Sequence, residues 1–387
     1  MMILWYNPFR RMIKVKLLKI KAFHYKNCED GVELSFLPLF RKSEEDKTYE
    51  LYEVAPDLYT FLTMSIVGKN ASGKTSVLNL LNDVYRILGS FQLKDEVISI
   101  NGTKLEITFY ENEKIYLYKT ELHKQFDLGN NLSFVNESIK VMNYSKTKKN
   151  VIFKEENYKP LNMKKELPDD ISILFYILKN RNNYAYYFDD LVSEEGIYHK
   201  VYDLYNKGSI NKKYWKYILQ LFDEHIKDLK EIKNDVYVLT TVDQTQELSA
   251  KELFHVLSSG TKKGIALYTS AIQALKEGNT FIVDEIENHF HKTLVENLIV
   301  LFKDKSVNKK GATLVFSTHY CELLDIFNRN DNIWITKYDK KIILSNMYRD
   351  YNVRNDLLKS KKFYEDNFGT AVSYELLMNL KRTLMDE

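Results

Sequence analysis

Cysteine is nearly missing from this chain. Cys28 and Cys321 are the only two in 387 residues, and neither has metal-ligand neighbours. That argues against a disulfide framework or a zinc site and fits a reducing, cytoplasmic compartment. Long apolar runs are missing too: no window approaches the ~18 residues of a membrane-spanning helix. The start of the chain, Met1 to Arg11, places a short apolar run before Arg10 and Arg11, the reverse of a secretory leader. No sign of charge dominates, because 56 Lys and Arg face 53 Asp and Glu, interspersed along most of the sequence. The net charge of +3 reads as a solvated surface rather than as a nucleic-acid footprint.

What is present is ordinary globular material. Hydrophobic residues make up 44% and charged residues 28%, enough for one large core or two smaller ones. Residues 13–17 and 32–36 alternate as the strands of an edge hairpin, and 41–50 form a polar loop. Residues 62–67 predict a buried strand. Val77, Leu80, Leu81, Val84 and Ile87 then recur at helical spacing. Residues 97–119 alternate again around a Glu111-Asn-Glu turn. From about 120 to 235 the chain is polar and rich in Lys, Asn and Tyr, with helical stretches predicted at 171–180 and 214–230. Residues 280–283 and 312–316 are continuous apolar runs, as expected of strands covered by helices on both faces. A helix over 261–276 precedes the first, with Gly278 as its stop signal. Residues 333–345 read as a closing strand pair before a helical tail.

Gly68-Lys-Asn-Ala-Ser-Gly73-Lys74-Thr75 fits the pattern G-x-x-x-x-G-K-[ST] in full. Its glycines let the backbone curl so that consecutive N–H groups face phosphates, and the following helix adds its positive end. Lys74 then reaches the β- and γ-phosphates of ATP, and the Thr75 hydroxyl holds Mg²⁺. Gly68, Asn70, Ser72, Gly73 and Ser76 complete the candidate cradle. The run Phe281-Ile-Val-Asp284-Glu285 supplies the partner: an apolar strand ends in a carboxylate for the metal, with a second one residue on. Glu285 is the better general base, because its charge is not committed to the metal. Ser258, Ser259 and Gly260 stand just before a helix, where a hydroxyl and free amides make an anion site. A plain N-cap supplied by Ser259 explains the same residues without any ligand.

The order of P-loop, Leu257-Ser-Ser-Gly-Thr loop, Asp284-Glu285 strand and Ser317-Thr318-His319 resembles the ABC-type ATPases, with their Walker A, signature, Walker B and switch histidine. More narrowly, Asp284-Glu-Ile-Glu-Asn-His-Phe-His291 and Phe316-Ser-Thr-His319 look like the OLD-like and SMC-like AAA ATPases of bacterial and phage-defence systems. That resemblance implies an α/β fold: an ABC-type P-loop core with a mixed sheet flanked by helices, an antiparallel β subdomain and a mostly helical insertion. It divides the chain into 1–120 with the P-loop, an insertion at 121–235, a second core half at 236–350 and a helical tail at 351–387. Lys74, Thr75, Asp284, Glu285 and His319 would act in one copy. Ser258, Ser259 and Gly260 would cap the γ-phosphate held by another, so that ATP joins a homodimer or higher oligomer.

Departures from the family pattern bear on individual residues. Ser259 stands where many members have glycine, and Lys292 follows His291 where proline is frequent, which leaves His289 and His291 as structural residues. The glutamine that senses magnesium in ABC proteins has two candidates, Gln92 and Gln125. No TOPRIM nuclease pattern is visible after His319, and no long heptad arms are visible in 121–235. The leading expectation is therefore an ATPase that senses a trigger and controls a separate effector, a nuclease or a toxin, in defence against phage. The alternatives are a DNA-repair or DNA-clamp ATPase that binds nucleic acid through the insertion, and an ATP-gated scaffold with very slow hydrolysis.

Overall fold

The computed structural model describes residues 15–94, 99–125, 129–180, 183–189, 212–233, 236–288, 290–351, 353–354, 358–369 and 374–385. The chain divides into two compact units. One comprises Met1–Pro38, Leu51–Thr60 and Asp83–Tyr184, and the other Leu39–Glu50, Phe61–Asn82 and Ala185–Glu387.

The first unit is built on an antiparallel sheet. Its strands are β1 (Lys16–Phe23), β2 (Val32–Ser35), β6 (Lys104–Glu111), β7 (Lys114–Lys124), β8 (Leu132–Asn143) and β9 (Lys159–Pro160), in the order β2-β1-β6-β7-β8-β9. A hairpin of β1 and β2 is present with β2 on the edge, but its first strand runs Lys16–Phe23 and meets the expected 13–17 only at its start. Strands β3 (Leu51–Ala55) and β4 (Leu58–Phe61) pair as a separate two-stranded sheet. Side chains along β7 alternate between buried and half-buried, which is why a period of two is visible there. Asn112 and Glu113 join β6 to β7 with φ of 51° and 64°. Two left-handed residues twist a two-residue turn in the sense the strands require. Leu18, Val54, Tyr110, Ile115, Met142 and Tyr158 pack into a core of this unit.

The second unit centres on a largely parallel sheet. It contains β5 (Thr63–Val67), β10 (Ala185–Phe188), β14 (Thr280–Val283), β15 (Thr313–Thr318), β16 (Ile333–Asp339) and β17 (Lys341–Asn346), ordered β10-β14-β15-β5-β16-β17. All neighbours run parallel except β16 and β17. Every residue of β5, β14 and β15 is buried, as expected of the strand read at 62–67 and of the apolar runs at 280–283 and 312–316. Helices α6 (Ser259–Glu277) and α7 (Lys292–Lys303) contribute Ala271, Leu298, Ile299 and Phe302 to a core shared with Phe281, Leu314 and Phe316. Truncating one such large side chain to Ala costs about 2–5 kcal/mol in a core of this kind. Gly278 ends α6 in the left-handed conformation, φ 76°, as its position predicts. A smaller antiparallel sheet joins β11 (Ile226–Lys233), β12 (Val236–Thr241) and β13 (Thr245–Ser249). Ser249 then starts the short helix α5 (Ala250–Val256) through a capping box with Glu252.

Several expectations need correction. Residues 121–235, expected as a mainly helical insertion, carry more strand than helix among those described. A boundary at 120 falls inside β7, and Leu132, Phe134, Ile139 and Met142 extend the same sheet through β8. Within the stretch 171–180 the α-helix is only one turn, α3 (Phe175–Leu178). The helix expected over 214–230 is α4 (Lys212–Phe222); its chain turns at Asp223, whose carbonyl accepts from Ile226, and continues as β11. The polar segment 41–50 holds a short helix, α1 (Glu44–Tyr49), started by a capping box between Ser43 and Asp46.

Candidate functional site

Parallel strands end on the same side of a sheet, so loops far apart in sequence meet there. Here β5 runs into Gly68–Thr75, β14 into Asp284 and Glu285, and β15 into His319. In the register of the sheet, Val283 pairs with Phe316 and Thr318 with Val67, which levels the three strand ends.

The loop after β5 needs its two glycines for different reasons. A Cβ on Gly68 would lie 2.5 Å from both Ser72 Oγ and Thr336 Oγ1 and 2.6 Å from the Thr336 carbonyl oxygen. Gly73 has φ of 100°, and a Cβ there would lie 2.5 Å from the Ile342 side chain. β16 and β17 thus press on the loop from behind. Ser72 is fully buried, with its hydroxyl 2.7 Å from Thr336 Oγ1, so only its main chain is available to a ligand. Asn70 and Thr75 are exposed and Ser76 is half-buried.

Helix α2 (Lys74–Ser90) opens on the lysine of the motif. Lys74 is 5% exposed, and its Nζ donates to the carbonyls of Gly68 at 3.0 Å and Lys69 at 3.3 Å. Its Nζ is also 3.2 Å from His319 Nδ1. Burial pushes its ammonium below the usual lysine range, against the opposing pull of Glu285, Asp284 and Glu287. Thr75 Oγ1 donates to Asp284 Oδ2 at 2.6 Å.

Beyond β14 the main chain turns sharply. Glu285 has φ of 49°, a left-handed conformation that costs a non-glycine residue about 1–3 kcal/mol. Ser317 holds the turn: its hydroxyl accepts from Glu285 N–H at 2.7 Å and donates to Asp284 Oδ1, while its carbonyl accepts from Ile286 N–H. Asn288 Nδ2 donates to Glu285 Oε2 at 2.6 Å, and His319 Nε2 lies 3.0 Å from Glu285 Oε1. Lysine can only donate, so His319 Nδ1 accepts from Lys74, and the ring proton on Nε2 goes to Glu285. The bond from His319 is the main reason that the Glu285 carboxyl sits below the usual carboxylate range, and Asn288 lowers it further.

Lys74, Thr75, Asp284, Glu285 and His319 therefore form one connected set. Ser258, Ser259 and Gly260 have no hydrogen bond to any of those five among the described residues. Ser258, rather than Ser259, caps α6: its Oγ accepts from Thr261 N–H at 3.0 Å. His291 caps α7, accepting from Thr293 N–H at 3.3 Å, a structural role as expected, and His289 lies outside the described residues. Gln92 donates to Asp170 at 2.9 Å, and Gln125 directly follows β7. Sequence reasoning gave no role of their own to Ser317, Thr336, Glu287 and Asn288. Glu287 and Asn288 follow Asp284-Glu285 closely, and Ser317 precedes His319 by two, but nothing in those spacings shows where they point.

Thr75 and Asp284 offer a hydroxyl and a carboxylate oxygen side by side, a donor set that suits magnesium. No group of three or more His, Cys, Asp or Glu that could hold a metal exists among the described residues. Two protein oxygens still fit an ion that keeps several waters. No helix among the described residues is long and apolar enough to cross a membrane.

Residues 64–325 match the family described as "AAA domain, putative AbiEii toxin, Type IV TA system". Reticulocyte-binding protein homolog 1 of Plasmodium falciparum (isolate 3D7) is 23% identical over 303 residues, covering 73% of this chain and 9% of that protein. The chain thus spans less than a tenth of that relative. Among solved structures, the recombination mediator protein RecF with ATP aligns over 88% of this chain and 100% of its own, at 12% identity and a TM-score of 0.40. The protein cbiO1 from Clostridium perfringens, part of the ABC transporter complex cbiONQ, aligns over 94% and 98%, at 13% identity and a TM-score of 0.36. The family match runs from β5 past the loop after β15 and takes in more than half of the chain, so the chain belongs to this AAA-domain family of P-loop ATPases.

Proposed function

We propose that this protein binds and hydrolyses ATP, and that ATP joins it to a second copy of itself in order to control a separate effector. The observation that carries the reading is the convergence of Lys74, Thr75, Asp284, Glu285 and His319 in one hydrogen-bonded set joined through Ser317. Lys74 and the amides of Gly68–Thr75 receive the phosphates, while Thr75 and Asp284 hold magnesium, which neutralises charge on the β- and γ-phosphates when bound. Glu285 orients and deprotonates the attacking water. His319 Nε2–H, aimed at Glu285, is poised to reach the γ-phosphate or that water.

Ser258, Ser259 and Gly260 lie outside this set, on an exposed or half-exposed helix start. That supports the role the resemblance implies for them, which is to close the site of another copy. The OLD-like pattern around Asp284–His291 and His319 favours a defence role with a nuclease or toxin as effector.

Light scattering with and without Mg²⁺-ATP tests the assembly. The wild type should gain mass with ATP. Lys74→Ala should neither bind ATP nor assemble. Ser259→Arg should bind ATP and stay as it is without nucleotide, since Ser258 still caps the helix. Identical masses in all three proteins, with and without ATP, would overturn the composite site.

A further inference from the structure

Glu287 has no part in the chemistry proposed above, yet it is buried beside it, 6% exposed. Its Oε1 accepts the main-chain N–H of His319. Its Oε2 has no hydrogen-bond partner among the described residues. A buried carboxylate oxygen left unpaired is costly, so the contacts of Glu287 through its other oxygen call for an account. The Lys74 ammonium lies within range of its charge and offsets part of that cost.

His319 is held at three points. Two are on the imidazole, at Lys74 and Glu285, and the third is the main-chain bond to Glu287. The first two are to groups that must change partners during the proposed reaction, because Lys74 turns to phosphate and Glu285 to water. Only the third is independent of substrate. We infer that Glu287 is a positioning residue, which fixes the main chain at His319 so that the imidazole keeps its aim while Lys74 and Glu285 exchange partners. This inference rests on the hydrolytic reading of the site.

Two variants of similar volume separate the possibilities. Glu287→Gln keeps an acceptor oxygen for the His319 N–H, and Glu287→Leu keeps none. A misplacement of about 1 Å costs about 100-fold in rate, so kcat of Glu287→Leu should fall by about that factor while ATP affinity stays within about threefold. Glu287→Gln should recover most of the loss. In nucleotide-free protein the His319 amide proton should lie downfield in the wild type and in Glu287→Gln, and move upfield in Glu287→Leu.

Wild-type kcat in Glu287→Leu, or equal losses in both variants, would overturn the positioning role. So would loss of ATP binding together with turnover, which marks a packing role. If Glu287→Leu does not fold, a folded but inactive Glu287→Gln overturns it equally. A wild type that turns over no ATP would sink the hydrolytic reading instead, and the amide shift would still report on the contact.

Discussion

Thr75 and Asp284 are 209 positions apart in the sequence, and the threonine hydroxyl donates to the aspartate Oδ2 at 2.6 Å. Their meeting follows from the sheet: β5 and β14 flank β15, all three run parallel, and each residue lies beyond a strand end. Removing either oxygen should weaken the hold on magnesium more than the hold on nucleotide. Asp284→Asn should raise the Mg²⁺ concentration for half-maximal turnover about 10- to 100-fold, read from a magnesium titration at saturating ATP. An unchanged requirement would remove Asp284 from the metal.

Gly73 is constrained twice, by φ of 100° and by the Ile342 side chain, 2.5 Å from where a Cβ would lie. Gly73→Ala should therefore lower stability by about 1–3 kcal/mol in urea unfolding. Ile342 is itself buried, so the glycine change is compared within an Ile342→Ala background, where it should cost only the part due to φ. No cost in that background would mean that φ carries none, and an undiminished cost would mean that Ile342 gives way freely.

The Glu285 carboxyl is held below the usual range chiefly by His319 and then by Asn288. Losing either donor removes a bond to the ionised form, so the carboxyl must rise toward its ordinary value, about 4.3. The acid limb of kcat/KM reports this group in the free enzyme. That limb should move to higher pH in Asn288→Leu, and further in His319→Ala. A shift to lower pH in either variant contradicts the assignment of Glu285 as base.

Much of this site is legible in the sequence itself. The P-loop, the paired acids and the histidine each follow an apolar strand, and a buried parallel strand announces itself as an unbroken apolar run, as in Thr280–Val283. The residues that hold those groups in place are not legible in that way. Ser317 anchors both Asp284 and Glu285, and Glu287 anchors His319, through contacts more than 30 positions away along the chain. No local period encodes such contacts.

The region 121–235 misleads for a related reason. It is rich in Lys, Asn and Tyr, and a register shift near Asn136 breaks the period of two between Leu132, Phe134 and the later Ile139 and Met142. Strand β8 is thus defined as much by pairing with β7 as by its own sequence. The end of α4 near Asp223 likewise depends on a turn that helical spacing alone does not show. The fold class is readable because patterns of burial repeat along an element. The insertion is not, because its strands are half-exposed and polar.

Whether Glu285 is the base that drives hydrolysis is decided by steady-state ATP turnover of Glu285→Gln, measured beside the wild type with saturating Mg²⁺-ATP. Glutamine keeps the size and the contact with Asn288 but cannot take a proton. Loss of a general base costs about 10²- to 10⁴-fold, so kcat should fall by at least about 100-fold while ATP remains bound. Turnover equal to the wild type would contradict the hydrolytic role of this site.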